Sequence, residues 1–143
     1  MVDVSDKDAT ARTATALGYL TCKAETLKKV RAGAVSKGAV ITTAELAGVM
    51  AAKRTSELIP LCHPLPLTNI EVRITIEDAL PGLRVESEVK TRARTGVEME
   101  ALTAVSVACL TLFDTLKASD PNMTIGGIEV TSKTGGKSGD WFK

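Results

Sequence analysis

The 143-residue chain is poor in aromatic residues, which make up only 3% of it. The four are Tyr19, Phe113, Trp141 and Phe142, and they form no pair on a predicted strand. Proteins that read single-stranded RNA on a β-sheet stack the bases on aromatic side chains. The scarcity of aromatics therefore argues against an RNA-binding platform.

The chain also lacks an excess of charge of either sign. It has 18 basic and 17 acidic side chains, a formal net charge of +1. A domain that binds nucleic acid in bulk usually has a marked basic excess, so we expect no nucleic-acid partner. An anion site must then be assembled from basic groups in several segments. The length predicts a single domain over residues 1–143.

Membrane and secretory features are missing as well. No uninterrupted apolar stretch approaches the ~20 residues that span a bilayer, and the charged start Met1–Asp8 lacks the apolar core of a signal peptide. Three cysteines, Cys22, Cys62 and Cys109, are odd in number and widely spaced, unlike a disulfide framework or a paired zinc site. We therefore predict a cytoplasmic protein with reduced thiols and no membrane partner.

Periodicity and turn residues predict the element order β-α-α-β-β-α-β. The predicted start of the second helix lies near Thr42, because Thr42 and Glu45 have capping-box spacing, and Gly33 is expected to end the first helix. This order favours an α+β fold, an antiparallel sheet with helices packed on one face. Strands are predicted at 12–22, 67–77, 83–94 and 125–132, and helices at 25–32, 42–54 and 96–118.

The longest predicted helix has polar side chains at positions where a helix of the core would have apolar ones. Glu100 and Asp114 fall within about 40° of one line on its surface, and Lys117 follows Asp114 at i+3. One interpretation is a surface ion pair, with Glu98 and Glu100 suited to the helix dipole. The apolar neighbours of Asp114 favour a partly desolvated pair that transfers protons. Both helix faces are expected to be covered, one by the sheet and one by a partner subunit or substrate.

A proline-rich segment, residues 59–66, contains adjacent Cys62 and His63. Prolines hold such a segment extended, and neighbours in an extended chain point to opposite faces, so a Cys-His dyad is not expected. Cys62 is expected to face the core and His63 to point outward. A structural role and a ligand-contacting or proton-handling role both remain open for His63. Metal binding is not expected, because the chain has no second histidine.

The Gly-rich C-terminal segment, residues 135–139, resembles the end of a phosphate-binding P-loop. Thr131 stands where the first glycine would be required, and no helix follows before Lys143, so the ATPase interpretation fails. The segment is either a mobile tail from about residue 134 or a flexible segment that closes over an anionic ligand through Lys133 and Lys137.

Two stretches of the chain are highly specific, Pro60-Leu-Cys-His-Pro-Leu65 and Gly96-Val-Glu-Met-Glu-Ala-Leu-Thr103. Further motifs accompany them, namely Met1-Val-Asp-Val-Ser5, Lys37-Gly38, Ala51-Ala-Lys-Arg-Thr55, Asp114 with Lys117, and Lys133-Thr-Gly-Gly-Lys-Ser-Gly139. Taken together, and over essentially the whole chain, these motifs resemble the family of molybdenum cofactor biosynthesis protein C, the cyclic pyranopterin monophosphate synthases.

The resemblance implies a lyase that acts on a small, nucleotide-derived substrate. It converts 3',8-cyclo-7,8-dihydroguanosine 5'-triphosphate into cyclic pyranopterin monophosphate, a step of molybdenum cofactor biosynthesis, and releases diphosphate. It also implies a ferredoxin-like α+β fold and a homo-hexamer, a trimer of dimers, with each active site between subunits. No organic cofactor is implied, and a divalent ion that accompanies the triphosphate is compatible with the chemistry.

The resemblance further implies roles for eleven residues. Asp114 is expected to tune Lys117 as general acid and base, and Lys37 to protonate or orient the purine-derived rings. The other residues are expected to bind the substrate, the last three through its phosphates or by ordering the tail. These are Leu61, Cys62, His63, Met99, Glu100, Arg12, Lys133 and Lys137.

Two alternatives to an enzyme remain. One is a nucleotide- or RNA-binding module on a ferredoxin-like sheet, which the scarcity of aromatics disfavours. The other is a non-catalytic scaffold that only binds a pathway partner. The presence of Lys37, His63, Asp114 and Lys117 argues against a scaffold.

Overall fold

A five-stranded antiparallel sheet with helices against one face forms the protein in a computed structural model that describes residues 1–35 and 37–143. The strands are β1 Thr10–Thr21, β2 Leu67–Glu77, β3 Gly82–Ala93, β4 Thr124–Thr134 and β5 Trp141–Phe142. The helices are α1 Ala24–Arg31, α2 Val40–Ala52, α3 Thr55–Leu58 and α4 Glu98–Leu116.

The strand order is β2-β3-β1-β4-β5, and each neighbouring pair is antiparallel. The first four strands have the split β-α-β arrangement of ferredoxin-like folds. Alternation along β1 points Ala14, Ala16 and Leu20 into the core, where each is at most 2% exposed, and leaves Thr13 and Thr15 on the opposite face. The predicted α+β fold is confirmed.

Helix α4 lies against this inner face, with Val105, Cys109 and Leu112 fully buried. Helix α2 packs beside it, and a Cβ atom on Gly48 would lie 2.8 Å from the carbonyl oxygen of Ala104. Part of the second face of α4 is therefore covered by the same chain. The prediction that a partner subunit or substrate covers the second face of α4 was therefore wrong where α2 covers it.

Helix α4 is also the element whose length and apolar character would suffice to cross a membrane. A core helix has the same composition, and 56% of the relevant window is buried within the protein. Burial also raises the pKa of the Cys109 thiol to about 11. Cys22, Cys62 and Cys109 are all free thiols.

The start of α2 corrects the sequence analysis. The helix begins at Val40, so Thr42 and Glu45 lie inside it and do not form a capping box. Glu45 Oε2 instead accepts a hydrogen bond from the backbone N–H of Ile74 at 3.1 Å. The tertiary contact with β2 thus uses the carboxylate that a capping box would have required. The helix ends at Ala52, and the short α3 that follows was not predicted.

The end of α1 agrees with its prediction. Gly33 has φ of 65°, a conformation that glycine adopts without steric cost. The N–H groups of Gly33 and Ala34 donate to the carbonyls of Val30 and Lys29 at 3.2 and 3.0 Å. This is the Schellman arrangement, which ends the helix and redirects the chain.

The C-terminal segment returns along the sheet. Trp141 and Phe142 form β5 and pair with Lys133 and Ser132 of β4. So short a strand has no periodic signal, and it exists because β4 offers an edge for backbone pairing. The mobility expected from about residue 134 stays a prediction.

Candidate active site

Three charged side chains meet at the C-terminal end of α4. Lys37 Nζ lies 2.8 Å from Asp114 Oδ2 and 3.2 Å from the backbone oxygen of Asp114. Lys117 Nζ lies 3.1 Å from Asp114 Oδ1. Each carboxylate oxygen thus faces its own ammonium group. We call Lys37, Asp114 and Lys117 the charged triad.

The charged triad is open to solvent in the single chain. The side chains of Lys37, Asp114 and Lys117 are 51%, 58% and 56% exposed. The partly desolvated setting expected for Asp114 is therefore wrong for the isolated chain, because its apolar neighbours Leu112 and Leu116 point into the core. Hydrogen bonds from Lys37, and next from Lys117, hold the pKa of Asp114 below its ordinary value.

Lys37 reaches Asp114 through two glycine-dependent bends. Gly33 redirects the chain after α1, and Gly38 has φ of 89° two residues before the start of α2. A left-handed conformation of this kind favours glycine. The N–H of Gly38 donates to the carbonyl of Val35 at 3.0 Å, which closes the turn that contains Lys37.

A second group of predicted residues lies at the N-terminal end of α4. There a cavity of about 300 Å³ is lined by Leu61, Cys62, His63 and Met99. Both Cys62 and His63 line this cavity, because the chain is not extended before them. It forms a turn in which the N–H of Cys62 donates to the carbonyl of Ile59 at 3.2 Å. We call this space the histidine cavity. Its remaining lining residues are Ile59, Leu65, Thr95, Gly96 and Glu98.

Glu100 lies buried beside the histidine cavity and is 3% exposed. Its Oε1 lies 3.9 Å from Cys62 Sγ, and its Oε2 has no hydrogen-bond partner within the described part of the chain. Burial raises the pKa of Glu100. Burial, and next the charge of Glu100, also raise the pKa of the Cys62 thiol. Cys62 is half-buried and faces Glu100, so the prediction that it faces the core was wrong.

His63 is half-buried, and its Nε2 lies 2.7 Å from the backbone oxygen of Val2. This contact places the first residues of the chain against the histidine cavity. The imidazole is thereby fixed in orientation, which suits a group that must contact a ligand at a defined angle.

Basic side chains continue from this cavity toward the C-terminal segment. Arg12 Nε donates to the carbonyl of Ala93 at 3.1 Å, and Lys133 Nζ lies 3.2 Å from Glu98 Oε1. Arg12 and Lys133 share a cleft with Gly96 and Glu98. Lys137 lines the next groove, which it shares with Arg12 and Lys7.

Glu98 and Lys7 line the candidate site, and the sequence analysis did not assign either of them to it. Glu98 was interpreted only as a charge favourable to the helix dipole, yet it lines the histidine cavity and pairs with Lys133. Its carboxylate folds back over Gly96, where a Cβ would collide with it. A glycine two residues before an acidic side chain at a helix start could have signalled this contact.

The two groups lie at opposite ends of one helix. Glu100 and Asp114 are separated by 14 residues, or about 21 Å along the axis at 1.5 Å per residue. A general acid or base must lie within about 3 Å of the proton it transfers. The two ends of a single α4 therefore cannot act on the same atoms. Among residues 1–35 and 37–143, no three His, Cys, Asp or Glu side chains are grouped as metal ligands.

Comparison with known proteins identifies the family of the chain. The model of the MoaC family matches residues 1–136. A cyclic pyranopterin monophosphate synthase of Methylobacterium sp. (strain 4-46) is 57% identical over 141 residues, which cover 99% of this chain and 88% of that protein. Proteins of the same name from Brucella ovis and Brucella melitensis are 59% identical over 99% of this chain and 86% of theirs. This chain belongs to the MoaC family.

Proposed function

We propose that this chain is a cyclic pyranopterin monophosphate synthase in molybdenum cofactor biosynthesis. In this proposal it acts as a lyase, converting 3',8-cyclo-7,8-dihydroguanosine 5'-triphosphate into cyclic pyranopterin monophosphate and diphosphate. The observation that supports it most is the charged triad, in which residues 77 positions apart in the sequence meet within hydrogen-bond distance. The names of its relatives point to the same reaction.

The rearrangement needs groups that can both give and accept protons. Opening the imidazole portion of the purine and closing a pyrazine ring requires several proton transfers, each aided by a positioned acid or base. In the proposed mechanism Lys117 performs them, with Asp114 holding its ammonium group in place. Lys37, bound to the other oxygen of Asp114, protonates or orients the purine-derived rings.

The second half of the reaction forms a cyclic phosphate and expels diphosphate. Charge develops on the leaving group, and nearby cations stabilise it. Arg12, Lys133 and Lys137, with Lys7 beside them, are the cations that the proposal assigns to the phosphates. Leu61, Cys62, His63, Met99 and Glu100 bind the ring system in the histidine cavity. The proposal uses no organic cofactor and no protein-bound metal, and a divalent ion that accompanies the triphosphate is compatible with it.

The proposed active site is completed by a second copy of the chain. The charged triad and the histidine cavity are about 21 Å apart along α4, so a substrate that needs both must take them from different copies. Leu58 and Leu61, near the histidine cavity, are 57% and 71% exposed and suit a subunit contact. The proposed assembly is a cytoplasmic homo-hexamer, a trimer of dimers, with each active site between subunits.

A single-turnover assay tests the proposal. Purified protein is mixed in excess with 3',8-cyclo-7,8-dihydroguanosine 5'-triphosphate. It should release diphosphate and form cyclic pyranopterin monophosphate in equal amounts. Light scattering on the same sample reports whether the oligomer is intact. An intact oligomer that forms no product would contradict the proposal, and a salt-sensitive gel shift of RNA without turnover would favour the RNA-binding alternative.

A further inference from the structure

Asp120 is a buried carboxylate to which the proposed mechanism gives no role. It is 1% exposed and lies three residues after Lys117. Its Oδ2 accepts hydrogen bonds from the backbone N–H of Lys23 at 2.9 Å and from Thr26 Oγ1 at 2.8 Å. Both donors belong to the start of α1, so Asp120 joins the chain after α4 to that helix.

The chain between Lys117 and Asp120 is itself fixed to the end of α4. The N–H groups of Ser119 and Asp120 both donate to the carbonyl of Leu116, at 3.2 and 3.1 Å. Lys117 is the C-cap residue of α4, and its N–H donates to the carbonyl of Phe113 at 2.9 Å. The backbone of Lys117 is therefore held in one short, hydrogen-bonded turn that ends at Asp120.

The opposite end of α1 leads back to the charged triad. After Gly33 ends the helix, the chain reaches Lys37, whose ammonium group binds Asp114. A bidentate pair between Arg31 and Asp78, with both distances at 2.7 Å, holds this end of α1 against the β2–β3 turn. Helix α1 is thus fixed at its start by Asp120 and at its end by Asp78, with Lys37 beyond.

These contacts form a closed circuit. It runs from Asp114 through Lys117 and Asp120 into α1, and returns through Lys37 to Asp114. Because α1 is a single helix of eight residues, we expect a shift of its start to displace its far end, from which the chain leads to Lys37, or the turn after Lys117. We therefore expect the distance between the two ammonium groups to depend on the bonds of Asp120.

We propose that Asp120 is a positioning residue, which holds Lys37 and Lys117 on the two oxygens of Asp114 through its bonds to Thr26 and Lys23. The proposal rests on the proposed function for its kinetic consequence, but its geometric consequence at Asp114 is independent of any reaction. Burial disfavours the charged form of Asp120, yet the hydrogen bonds from Lys23 and Thr26 outweigh it and keep its pKa below the ordinary value. The carboxylate is accordingly ionised and accepts both bonds at neutral pH.

The test compares Thr26→Val with Thr26→Ser. Valine has a similar shape but no hydroxyl, so Asp120 loses one donor, whereas serine keeps the donor. Thr55→Val is the matched control, since Thr55 is also buried at 1% and its hydroxyl donates to the carbonyls of Ala52 and Ala51, at 2.9 and 3.5 Å, away from the circuit. Each variant is measured for kcat, for KM, for thermal stability and for titration of the Asp114 carboxyl carbon by NMR.

We expect Thr26→Val to lower kcat by about tenfold at a KM within about twofold, the effect of a small misplacement of catalytic groups. Asp114 in this variant should titrate at higher pH than in the parent, because its cations are less firmly placed. Thr26→Ser should restore both properties. Thr55→Val should lose comparable thermal stability without either change. If Thr26→Val does not fold, Asp120→Asn replaces it with the same expectations.

Parental kcat and an unchanged Asp114 titration in Thr26→Val would overturn the proposal. Equal losses of kcat in Thr26→Val and Thr55→Val would overturn it too, because the role would then be only structural. A parent protein without turnover would contradict the proposed function. In that case the Asp114 titration alone decides whether Asp120 positions the triad.

Discussion

The two ends of α4 both have a carboxylate, but they place it in opposite environments. Asp114 lies in solvent between two ammonium groups, which lower its pKa. Glu100 is buried beside Cys62 with one oxygen unpartnered within the described residues, and burial raises its pKa. One end of the helix thus stabilises the charged form of an acid and the other end the neutral form.

The comparison also shows what α4 contributes as a rigid element. The helix is packed between the sheet and α2. It lies so close to Gly18 of the sheet and Gly48 of α2 that a Cβ atom on either glycine would be within 2.8 Å of an atom of α4. The rise of the helix sets Glu100 and Asp114 about 21 Å apart. The chemistry of each end can therefore be changed separately, and the following predictions use this.

The largest expected effect is at the charged end. Lys117→Ala should lower kcat by about 10²–10⁴-fold, the usual contribution of a general acid or base, while the protein folds and assembles normally. Lys143→Ala is the matched control, because Lys143 is 55% exposed and pairs with Glu129 at 2.6 Å but lies away from α4. Steady-state kinetics on both variants checks this, and a parental rate in Lys117→Ala would contradict the assigned role.

A smaller effect is expected at the buried end, on stability. Glu100→Gln keeps the shape of the side chain but cannot ionise. The folded protein raises the pKa of Glu100 above 4.5. As the pH rises, the unfolded chain therefore loses this proton before the folded protein does. The free energy of unfolding of the parent falls as the pH rises from 4.5 through the raised pKa. The variant should be more stable than the parent at neutral pH, because it has no buried charge, by about 1.4 kcal/mol for each unit by which folding raises the pKa of Glu100.

Urea denaturation of both proteins between pH 4 and pH 8 measures this difference. The advantage of Glu100→Gln should be small at the acidic end and grow toward neutral pH. The same advantage at every pH would show that the charge of Glu100 is not the cause.

The smallest effect is a shift in the titration of Asp114. The cations stabilise its charged form, so the favourable interaction is present above pH 3.8 and is lost as pH falls through the lowered pKa. Removing either lysine should return the pKa of Asp114 toward its ordinary value, and Lys37→Ala should do so more than Lys117→Ala. Carbon-13 NMR of the Asp114 carboxyl group measures it, and an unchanged titration in both variants would refute the charged triad in solution.

Much of the fold follows from local patterns. The strands on both sides of residues 78–81 were predicted within one residue, because strict alternation and a proline-glycine turn are local signals. Asp114 and Lys117 were paired correctly from helix geometry alone. These predictions succeeded because each depends on residues that are near one another in the chain.

The failures depend on contacts between distant parts of the chain. The burial of Glu100 requires the segment of Cys62, 38 residues earlier, to lie over it. The start of α2 requires Glu45 to bind the backbone of Ile74. Neither partner is visible in local periodicity. Family resemblance implied a role for Lys37 in the site, but its contact with Asp114 was not predicted.

Complementation between inactive variants tests most directly whether each proposed active site takes one end of α4 from each of two copies. Asp114→Ala and His63→Ala, each of which we expect to be inactive alone, are unfolded together in equal amounts, refolded, and assayed as mixed oligomers. If sites form between copies, about one site in four should have both intact halves and activity should return toward a quarter of the parental rate. Mixed oligomers that stay as inactive as the separate variants would contradict the account.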